Sequence, residues 1–213
     1  MNVVSDAEEH AIAKARKGDL AAFNLLVERY QHLVYNVALR TLGHPQDAED
    51  ATQDTFLAAF RRLDDFRGGS FRGWLLRIAV NTCYDVLRRR QRRPAQSLDR
   101  LLDDPDHPVD IPDPDPAPEA VVLGKEAQHL IASSLQLLPP EQRVVVVLAD
   151  VQGLSYEEIA TATGTSLGTV KSRLSRGRAH LRDILSRHEE LFDLIQRLHN
   201  EGTSGESPPR DDR

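Results

Sequence analysis

Apolar residues recur at three- or four-residue steps through most of this chain, which is the spacing of an amphipathic helix. The first such stretch runs from Asp19 to Leu42 and stops at Gly43. Pro45 suits the first turn of a second helix, because its missing N–H would be unpaired there in any case. That helix extends to about Leu63, and a third starts near Ser70. The pattern predicts an all-α fold.

Helical periodicity stops between Pro94 and Leu123, where the chain contains seven prolines. Proline continues neither a helix nor a central strand, so this segment is predicted to be an extended linker between two small helical domains. The predicted divisions are a first domain at 1–93, the linker at 94–124, a second domain at 125–188, and a helical extension with a disordered tail at 189–213.

The second domain contains the pattern of a helix-turn-helix between about Gln152 and Leu185. Ser155 and Glu158 form a capping box at the start of a short helix. Gly164 supplies a tight turn, and Ser166 can cap the helix that follows. Before this motif stand five consecutive apolar residues, 144–148, which fit either a buried strand or a helix. The helical neighbours favour a helix.

The second helix of this motif has one apolar face and one basic, small-residue face. The predicted contacts on the basic face are Lys171, Ser172, Arg173, Ser175, Arg176 and Arg178. Small polar side chains at the centre allow close approach to base edges, and the surrounding cations can meet phosphates. We therefore predict that this helix binds duplex DNA. An ordinary helical hairpin with a solvated basic face has the same composition.

The net charge of −6 is unusual for a nucleic-acid-binding protein, but the charge is unevenly distributed. The linker carries eight acids and one arginine, so the rest of the chain is slightly basic. Such asymmetry is typical of a DNA-binding chain with an acidic connector. The single cysteine, Cys83, excludes an internal disulfide and a cysteine zinc site, and we expect it to be a small packed side chain.

Several classes of protein lack support in this sequence. No apolar run approaches the ~20 residues that span a bilayer, and the acidic N-terminus does not resemble a signal peptide, so we expect a cytoplasmic protein. We find no Gly-rich phosphate loop, metal cluster or paired catalytic carboxylates. We therefore predict no enzymatic activity, no cofactor and no metal.

Five segments resemble motifs of bacterial RNA polymerase sigma factors. Asp47–Leu57 resembles the motif that binds core polymerase, and Phe71–Thr82 resembles the promoter-melting helix. In the second domain, Leu138–Arg143, Leu154–Ala160 and Gly168–Arg173 match the same family. Two domains joined directly by a short linker are the layout of its extracytoplasmic-function (ECF) group. The resemblance implies an alternative sigma factor that directs core RNA polymerase to specific promoters, in a stress response, under the control of an anti-sigma factor.

The resemblance also assigns roles to both domains. The second domain would read the minus-thirty-five element as duplex, and the first would bind the minus-ten element as melted single strand. Core polymerase would contact the second helix of the first domain. The contact residues there are Asp50, Gln53, Asp54 and Leu57. Without the resemblance, a solvated helix surface is the preferred interpretation of an acidic face of this kind.

On the third helix, one face carries the side chains that suit single-stranded DNA, since bases stack on a ring while cations meet the backbone. These are Arg77, Asn81, Tyr84 and Arg88. The resemblance adds the preceding loop, with Phe66 and Arg67, which together with Asn81 would hold an extruded minus-ten base. Tyr84 could instead lie over a core edge, and Asn81 could bond only locally. Trp74 is predicted to be core.

Two alternatives remain open from the residues. A stand-alone regulator could use its N-terminal helices to sense a ligand and bind an operator as a dimer, and it would form no stable complex with core polymerase. The acidic linker resembles the sigma connector that threads the RNA channel of the polymerase. Simple solvation of an acidic segment explains the same composition.

Overall fold

The structure is a computed structural model that describes the backbone of residues 3–92 and 118–187, with side chains over 7–92 and 127–187. Within these ranges it is all-α, as predicted, and contains no strand. Eight α-helices are present there: α1 Val3–Ala15, α2 Leu20–Leu42, α3 Pro45–Arg61, α4 Phe71–Arg92, α5 Pro118–Gln136, α6 Pro140–Val146, α7 Tyr156–Thr163 and α8 Leu167–Leu185.

The three helices predicted for the first domain are α2, α3 and α4. The Asp19 carboxylate accepts the Ala22 N–H at the start of α2, at 3.1 Å. At its end, Gly43 has a left-handed backbone (φ +75°), which favours glycine. α3 ends slightly before the predicted Leu63 and gives way to a 3₁₀ turn, Leu63–Asp65.

The first helix, α1, was not predicted from the pattern. It packs on α2 and contributes three small or medium apolar side chains, Ala11, Ile12 and Ala15, to the core of the first domain. Two of the three are alanines, so its buried face is narrow. A stripe of alanines gives only a weak signal of amphipathicity, so the helical spacing of apolar residues becomes clear only from α2 onward.

In the second domain, the ambiguous apolar run is helical. Residues 144–148 complete α6 and enter a π-helical turn, Val147–Val151, and all five side chains are at most 2% exposed. A helix buried on every side has no polar face, so its sequence resembles that of a buried strand.

The predicted linker requires a correction at its C-terminal end. α5 begins at Pro118, so the last residues of the segment predicted as linker, 94–124, are helical. Proline is compatible with the first turn of a helix, where its missing N–H has no partner to lose. The rest of the predicted linker, and the predicted C-terminal extension at 189–213, lie outside the described residues.

The two domains pack directly against each other, which the sequence pattern did not predict. α4 lies against α7, and one hydrophobic cluster takes Val37, Leu76 and Val80 from the first domain together with the core of the second. The Arg72 guanidinium also donates to the Gln152 carbonyl at 2.9 Å. The described domains therefore form a closed arrangement with a shared core.

Candidate polymerase and promoter interfaces

The predicted polymerase face lies open on α3. Its buried side is formed by small residues such as Ala48, Ala51 and Ala59, each at most 1% exposed. The side chains on the opposite side are all exposed: Asp50, Gln53, Asp54 and Leu57. Leu57 is 53% exposed and contributes apolar area to this face. The structure brings these four residues together on one accessible, acidic face.

Asp47 belongs to the same sequence motif but has a different role in the fold. Its side chain is buried and forms an ion pair with Arg90 of α4. Arg90 also donates to the Leu42 carbonyl at 2.9 Å, at the C-terminal end of α2. This pair ties together the ends of three helices, so Asp47 supports the polymerase face without forming part of it.

The loop before α4 is built around two glycines. Gly68 and Gly69 have φ values of +91° and +85°, which β-carbon-bearing residues rarely adopt. The Ser70 hydroxyl then accepts the Gly73 N–H at 3.1 Å and starts α4. Arg67 is exposed at the tip of this loop.

Phe66 does not share the exposure of this loop. Its ring packs against those of Phe71 and Trp74, with centroid separations of 5.6 and 5.5 Å, and its side chain is buried. Trp74 is half-buried in this aromatic cluster, as predicted for a core residue. Phe66 was predicted to contact minus-ten DNA. In this conformation its buried ring instead packs the loop against the start of α4.

Three of the four predicted contacts on α4 are exposed along one side: Arg77, Asn81 and Arg88. Arg88 is linked to Asp85 by an exposed ion pair at 3.1 Å. Such a pair breaks easily, so Arg88 remains available to a phosphate.

Tyr84, the fourth predicted contact, is partly buried against the second domain, which agrees with the alternative that it lies over a core edge. Its hydroxyl is buried without a hydrogen-bond partner. Burial raises the pKa of Tyr84 to about 12, although the nearby Arg173 guanidinium lowers it. The physical reason is that α4 is covered on a second side by α7, which a single-helix pattern cannot show.

The helix-turn-helix has the predicted form. The Ser155 hydroxyl accepts the Glu158 N–H at 3.2 Å, and the Glu158 carboxylate accepts the Ser155 N–H at 2.8 Å. Gly164 is left-handed (φ +65°) at the turn between α7 and α8, and the Ser166 hydroxyl accepts the Thr169 N–H at 3.2 Å. These caps fix where α8 begins.

One narrow stripe of α8 is buried, and it contains a glycine for a steric reason. Val170 and Leu174 are at most 2% exposed. A Cβ on Gly177 would lie 2.7 Å from Val146 Cγ2 and 3.4 Å from the Gln142 carbonyl. Glycine therefore lets α8 lie against α6 at close range.

The opposite side of α8 presents the predicted DNA-contacting residues. Lys171, Ser172, Ser175, Arg176 and Arg178 are exposed, and Arg173 is half-buried beside the first domain. Arg176 donates to the Ser172 carbonyl and hydroxyl at 3.2 and 3.3 Å, which holds its guanidinium along the helix surface.

Sequence reasoning missed a carboxylate beside this face. Asp150, in the π-helical turn, makes a two-pronged ion pair with Arg178, at 3.1 Å to Nε and 2.5 Å to Nη2. This pairing is the main reason that the pKa of Arg178 is raised. Because the two residues are far apart in sequence, no local pattern could have identified the pair.

Other chemistry is sparse in the described part of the chain. Cys83 is fully buried, as predicted, and burial raises its pKa to about 12. No group of His, Cys, Asp or Glu side chains among the described residues is placed to hold a metal ion. None of the described helices is both long and apolar enough to cross a membrane.

Comparison with known families identifies both domains. The family model of sigma-70 region 2 matches residues 26–93, and that of sigma-70 region 4 matches residues 128–181. Similar proteins include the ECF RNA polymerase sigma factor SigE of Mycolicibacterium smegmatis, 42% identical over 174 residues. That match covers 80% of this chain and 65% of the relative.

Two further relatives are covered more completely. The RNA polymerase sigma-H factor of Pseudomonas aeruginosa is 36% identical, with 83% of this chain and 92% of the relative covered. The ECF RNA polymerase sigma-E factor of Escherichia coli K12 is 38% identical, with 78% and 88% covered.

Solved structures with a similar fold include a sigma factor. CnrH, in complex with the cytosolic domain of CnrY, has a TM-score of 0.61 and 32% identity, covering 85% of this chain and 99% of that one. The sigma factor RpoE of Bartonella quintana, in complex with the anti-sigma factor NepR, has a TM-score of 0.60 and 27% identity, with 77% and 96% covered. The chain therefore belongs to the sigma-70 family of bacterial RNA polymerase sigma factors, and within it to the extracytoplasmic-function group.

Proposed function

We propose that this chain is an alternative sigma factor that binds core RNA polymerase through α3 and directs it to promoters through α4 and α8. The observation that carries the proposal is the order of the two family matches, each coinciding with an exposed face of suitable chemistry. A stand-alone regulator with a ligand-sensing first domain does not account for the sigma-70 region 2 match in that domain.

The α3 face is suited to a protein partner. A half-exposed leucine, Leu57, is surrounded by the carboxylates of Asp50 and Asp54 and the amide of Gln53. Leucine provides apolar area at the centre of a contact, and the carboxylates favour a basic partner surface. We infer that this face contacts the coiled coil of the largest polymerase subunit, as the family resemblance implies.

The α8 face is suited to duplex DNA. Ser172 and Ser175 are short, so the helix axis can approach the floor of the major groove. Arg176 lies between them and the end of the helix, and can reach a base edge. Lys171, Arg173 and Arg178 flank the face and can meet phosphates. We infer that these six residues read the minus-thirty-five element.

The α4 face is suited to a melted strand. Arg77 and Arg88 supply charge for the backbone, and Asn81 supplies an amide for a base edge. Arg67 extends the same surface into the loop. The Phe66 ring and the Tyr84 hydroxyl are buried, so the exposed part of this surface is formed by the other four residues.

The partners follow from the same faces. They are core RNA polymerase, promoter DNA as duplex and as melted strand, and an anti-sigma factor. The last is supported by the similar structures, which were determined in complexes with CnrY and NepR. We place the protein in the cytoplasm, where the polymerase works, and expect a role in a stress response. Nucleotide addition would belong to the polymerase.

The test is runoff transcription with core polymerase on genomic promoter fragments, combined with an Asp54→Arg variant. Reversing one charge at the centre of the acidic face should abolish polymerase binding and transcript while leaving thermal unfolding unchanged, because Asp54 is exposed. The matched control is Glu28→Arg, the same charge change at an exposed position of α2. If the wild-type chain forms no complex and yields no transcript, the proposed function is wrong.

A further inference from the structure

The first turn of α8 contributes no residue to the proposed DNA-contacting face. α8 begins at Leu167, with Gly168 and Thr169 in its first turn, and the proposed contacts begin one turn later, at Lys171. In helix-turn-helix proteins, however, the N-terminal residues of the second helix are the ones that contact base edges in the major groove. We therefore expect a further base contact at this turn.

The polar side chains around the turn form hydrogen bonds with one another and with the local backbone. The Ser166 hydroxyl accepts the Thr169 N–H at 3.2 Å and lies 2.9 Å from the Thr169 hydroxyl. The Ser172 hydroxyl donates to the Thr169 carbonyl at 3.0 Å, and the Thr163 and Thr165 hydroxyls lie 2.9 Å apart. These hydroxyls hold the turn in shape, and Leu167 is the apolar side chain that the turn presents to solvent.

Leu167 is 41% exposed and is not packed against any of the three apolar clusters formed by the described residues. At 3.6 residues per turn, it lies on the same edge of α8 as Lys171 and Arg178, two of the proposed DNA contacts. Single exposed leucines are common on protein surfaces, so exposure alone does not indicate a contact. The position does, because Leu167 continues the proposed DNA-contacting face to the start of the helix.

Gly168 gives independent support for a close approach of DNA at this turn. If it carried a Cβ, the nearest atom would be Ser166 Oγ, at an ordinary 3.8 Å, so alanine would fit. Glycine also weakens a helix relative to alanine. Gly177 is explained by its contact with Val146, but the fold offers no such reason for Gly168. A partner that comes close to the helix backbone does explain it, since a glycine leaves room for such an approach.

Thymine is the base whose major-groove edge suits an apolar side chain. It carries a C5 methyl group there, whereas cytosine, guanine and adenine present hydrogen-bond donors and acceptors. A leucine placed against this methyl group removes apolar surface of both partners from water. Burial of one methyl group corresponds to about fourfold in affinity.

We propose that Leu167 contacts the C5 methyl group of a thymine in the minus-thirty-five element, and that Gly168 allows the helix to approach closely enough for this contact. Leu167 is then a specificity-determining residue, because a cytosine in the same place has no methyl group to cover. The identity of the element rests on the proposed function, whereas the contact itself requires only that α8 enters a major groove.

The experiment removes the methyl group from the DNA and the leucine from the protein, separately and together. In a promoter fragment identified by runoff transcription, each thymidine of the minus-thirty-five element, on either strand, is replaced singly by deoxyuridine. Deoxyuridine pairs in the same way and lacks only the C5 methyl group. Affinity for the complex of the chain with core polymerase is measured by competition. The variants are Leu167→Ala and a matched control, Leu25→Ala, which truncates an exposed leucine of α2.

For the wild type and for Leu25→Ala, replacement of one particular thymidine should weaken binding about fourfold. Leu167→Ala should bind the unmodified fragment more weakly and lose nothing further at that thymidine. Leu167→Met keeps an apolar side chain and should retain the discrimination. If no replacement weakens binding of the wild type, if the same replacement weakens Leu167→Ala equally, or if the element contains no A·T pair, the contact is overturned.

Gly168→Ala tests the close approach without changing the leucine. The variant should unfold at the wild-type temperature or above it, because the added Cβ has room, yet it should bind the promoter more weakly. Wild-type affinity in this variant would overturn the close approach.

The proposed function and the methyl contact fail in different ways. If core polymerase does not bind the chain, the proposed function is wrong, and the deoxyuridine series is then titrated with the full chain alone on a duplex selected for binding to it. Discrimination that disappears in Leu167→Ala would still support the contact there. If the polymerase complex transcribes normally but its discrimination does not depend on Leu167, the function stands and the contact is overturned.

Discussion

α4 and α8 are the two helices proposed to contact promoter DNA, and they are buried in different ways. α8 is buried along one stripe, Val170, Leu174 and Gly177, with Leu181 and Ile184 packed partly against the same core. α4 is buried on two sides: Phe71 and Leu75 face the first domain's own core, and Leu76 and Val80 face the second domain.

This difference decides how much of each DNA-contacting face is available. On α8, five of the six proposed contacts are exposed and Arg173 is half-buried. On α4, the second buried side covers part of Tyr84, including its hydroxyl, and leaves a narrower strip that includes Arg77 and Asn81. α8 therefore presents almost all of its proposed DNA-contacting face, whereas α4 presents only the part that the second domain leaves exposed.

The largest expected effect tests the single stripe of α8. Gly177→Ala should lower the free energy of unfolding by about 1–3 kcal/mol, because the added Cβ would press on the buried Val146 side chain. The matched change in α4 is Gly73→Ala, where the nearest atom to the added Cβ is Ser70 Oγ at an ordinary 3.4 Å. That variant should gain up to about 1 kcal/mol from helix propensity. Equal effects in urea unfolding would contradict the close approach of α8 to α6.

The next prediction concerns base reading by the open helix. Arg176→Ala should weaken binding at the minus-thirty-five element by about 1–3 kcal/mol, measured as promoter competition with polymerase present. Arg187→Ala removes the same charge from an exposed position after α8 and should change affinity much less. If Arg176→Ala weakened recognition of the minus-ten and minus-thirty-five elements to a similar extent, Arg176 would contribute only general charge.

How much of this could be predicted differs between the same two helices. The caps at Ser155 and Ser166, the turn at Gly164 and the buried stripe of α8 are local features, so sequence spacing gave them correctly. For α4, the stripe through Phe71 and Leu75 was predicted, but the burial of Leu76 and Val80 depends on a partner from the other domain. The partial burial of Tyr84 depends on the same partner domain.

Contacts between distant residues were outside the reach of pattern reasoning. The Asp150–Arg178 pair and the junction of Arg143 with the Thr41 carbonyl each join segments that no short motif connects. A proline-rich segment indicates a division between domains, but it contains no information on whether the domains touch. The four residues of the predicted polymerase face are exposed, as the helical pattern indicated, because the buried side of α3 packs against its own domain.

A smaller effect tests the second buried side of α4. Tyr84→Phe should raise the free energy of unfolding by about 1 kcal/mol at neutral pH, because the buried hydroxyl has no partner. The phenol has a pKa of about 12 in the fold against 10.0 ordinarily, so the folded state holds its proton more tightly. The contribution of this proton to the free energy of unfolding is therefore fully present below pH 10, and it is lost as the pH rises through 12.

The wild-type chain should therefore lose more stability than Tyr84→Phe between pH 10 and 12. Tyr30, whose pKa is also raised to about 12, is present in both proteins and cancels in the comparison. Parallel pH profiles in thermal unfolding would mean that Tyr84 is exposed in solution, and that α4 is buried on one side only, like α8.

The smallest effect concerns the ion pair at the edge of the open helix. Asp150 compensates the charge of Arg178, so one of the cations beside the α8 face is held away from phosphate. Asp150→Asn should free it, and the slope of log affinity for duplex against log salt should become steeper by about 0.9, the value for one added phosphate contact. Asp183→Asn removes an equal charge from an exposed position of α8 and should leave the slope within error of the wild type.

If both variants change affinity equally without changing the slope, general charge explains the result, and Asp150 does not restrain Arg178. A steeper slope for Asp150→Asn alone would show that even the helix with a single buried stripe has part of its DNA-binding charge restrained by its own domain.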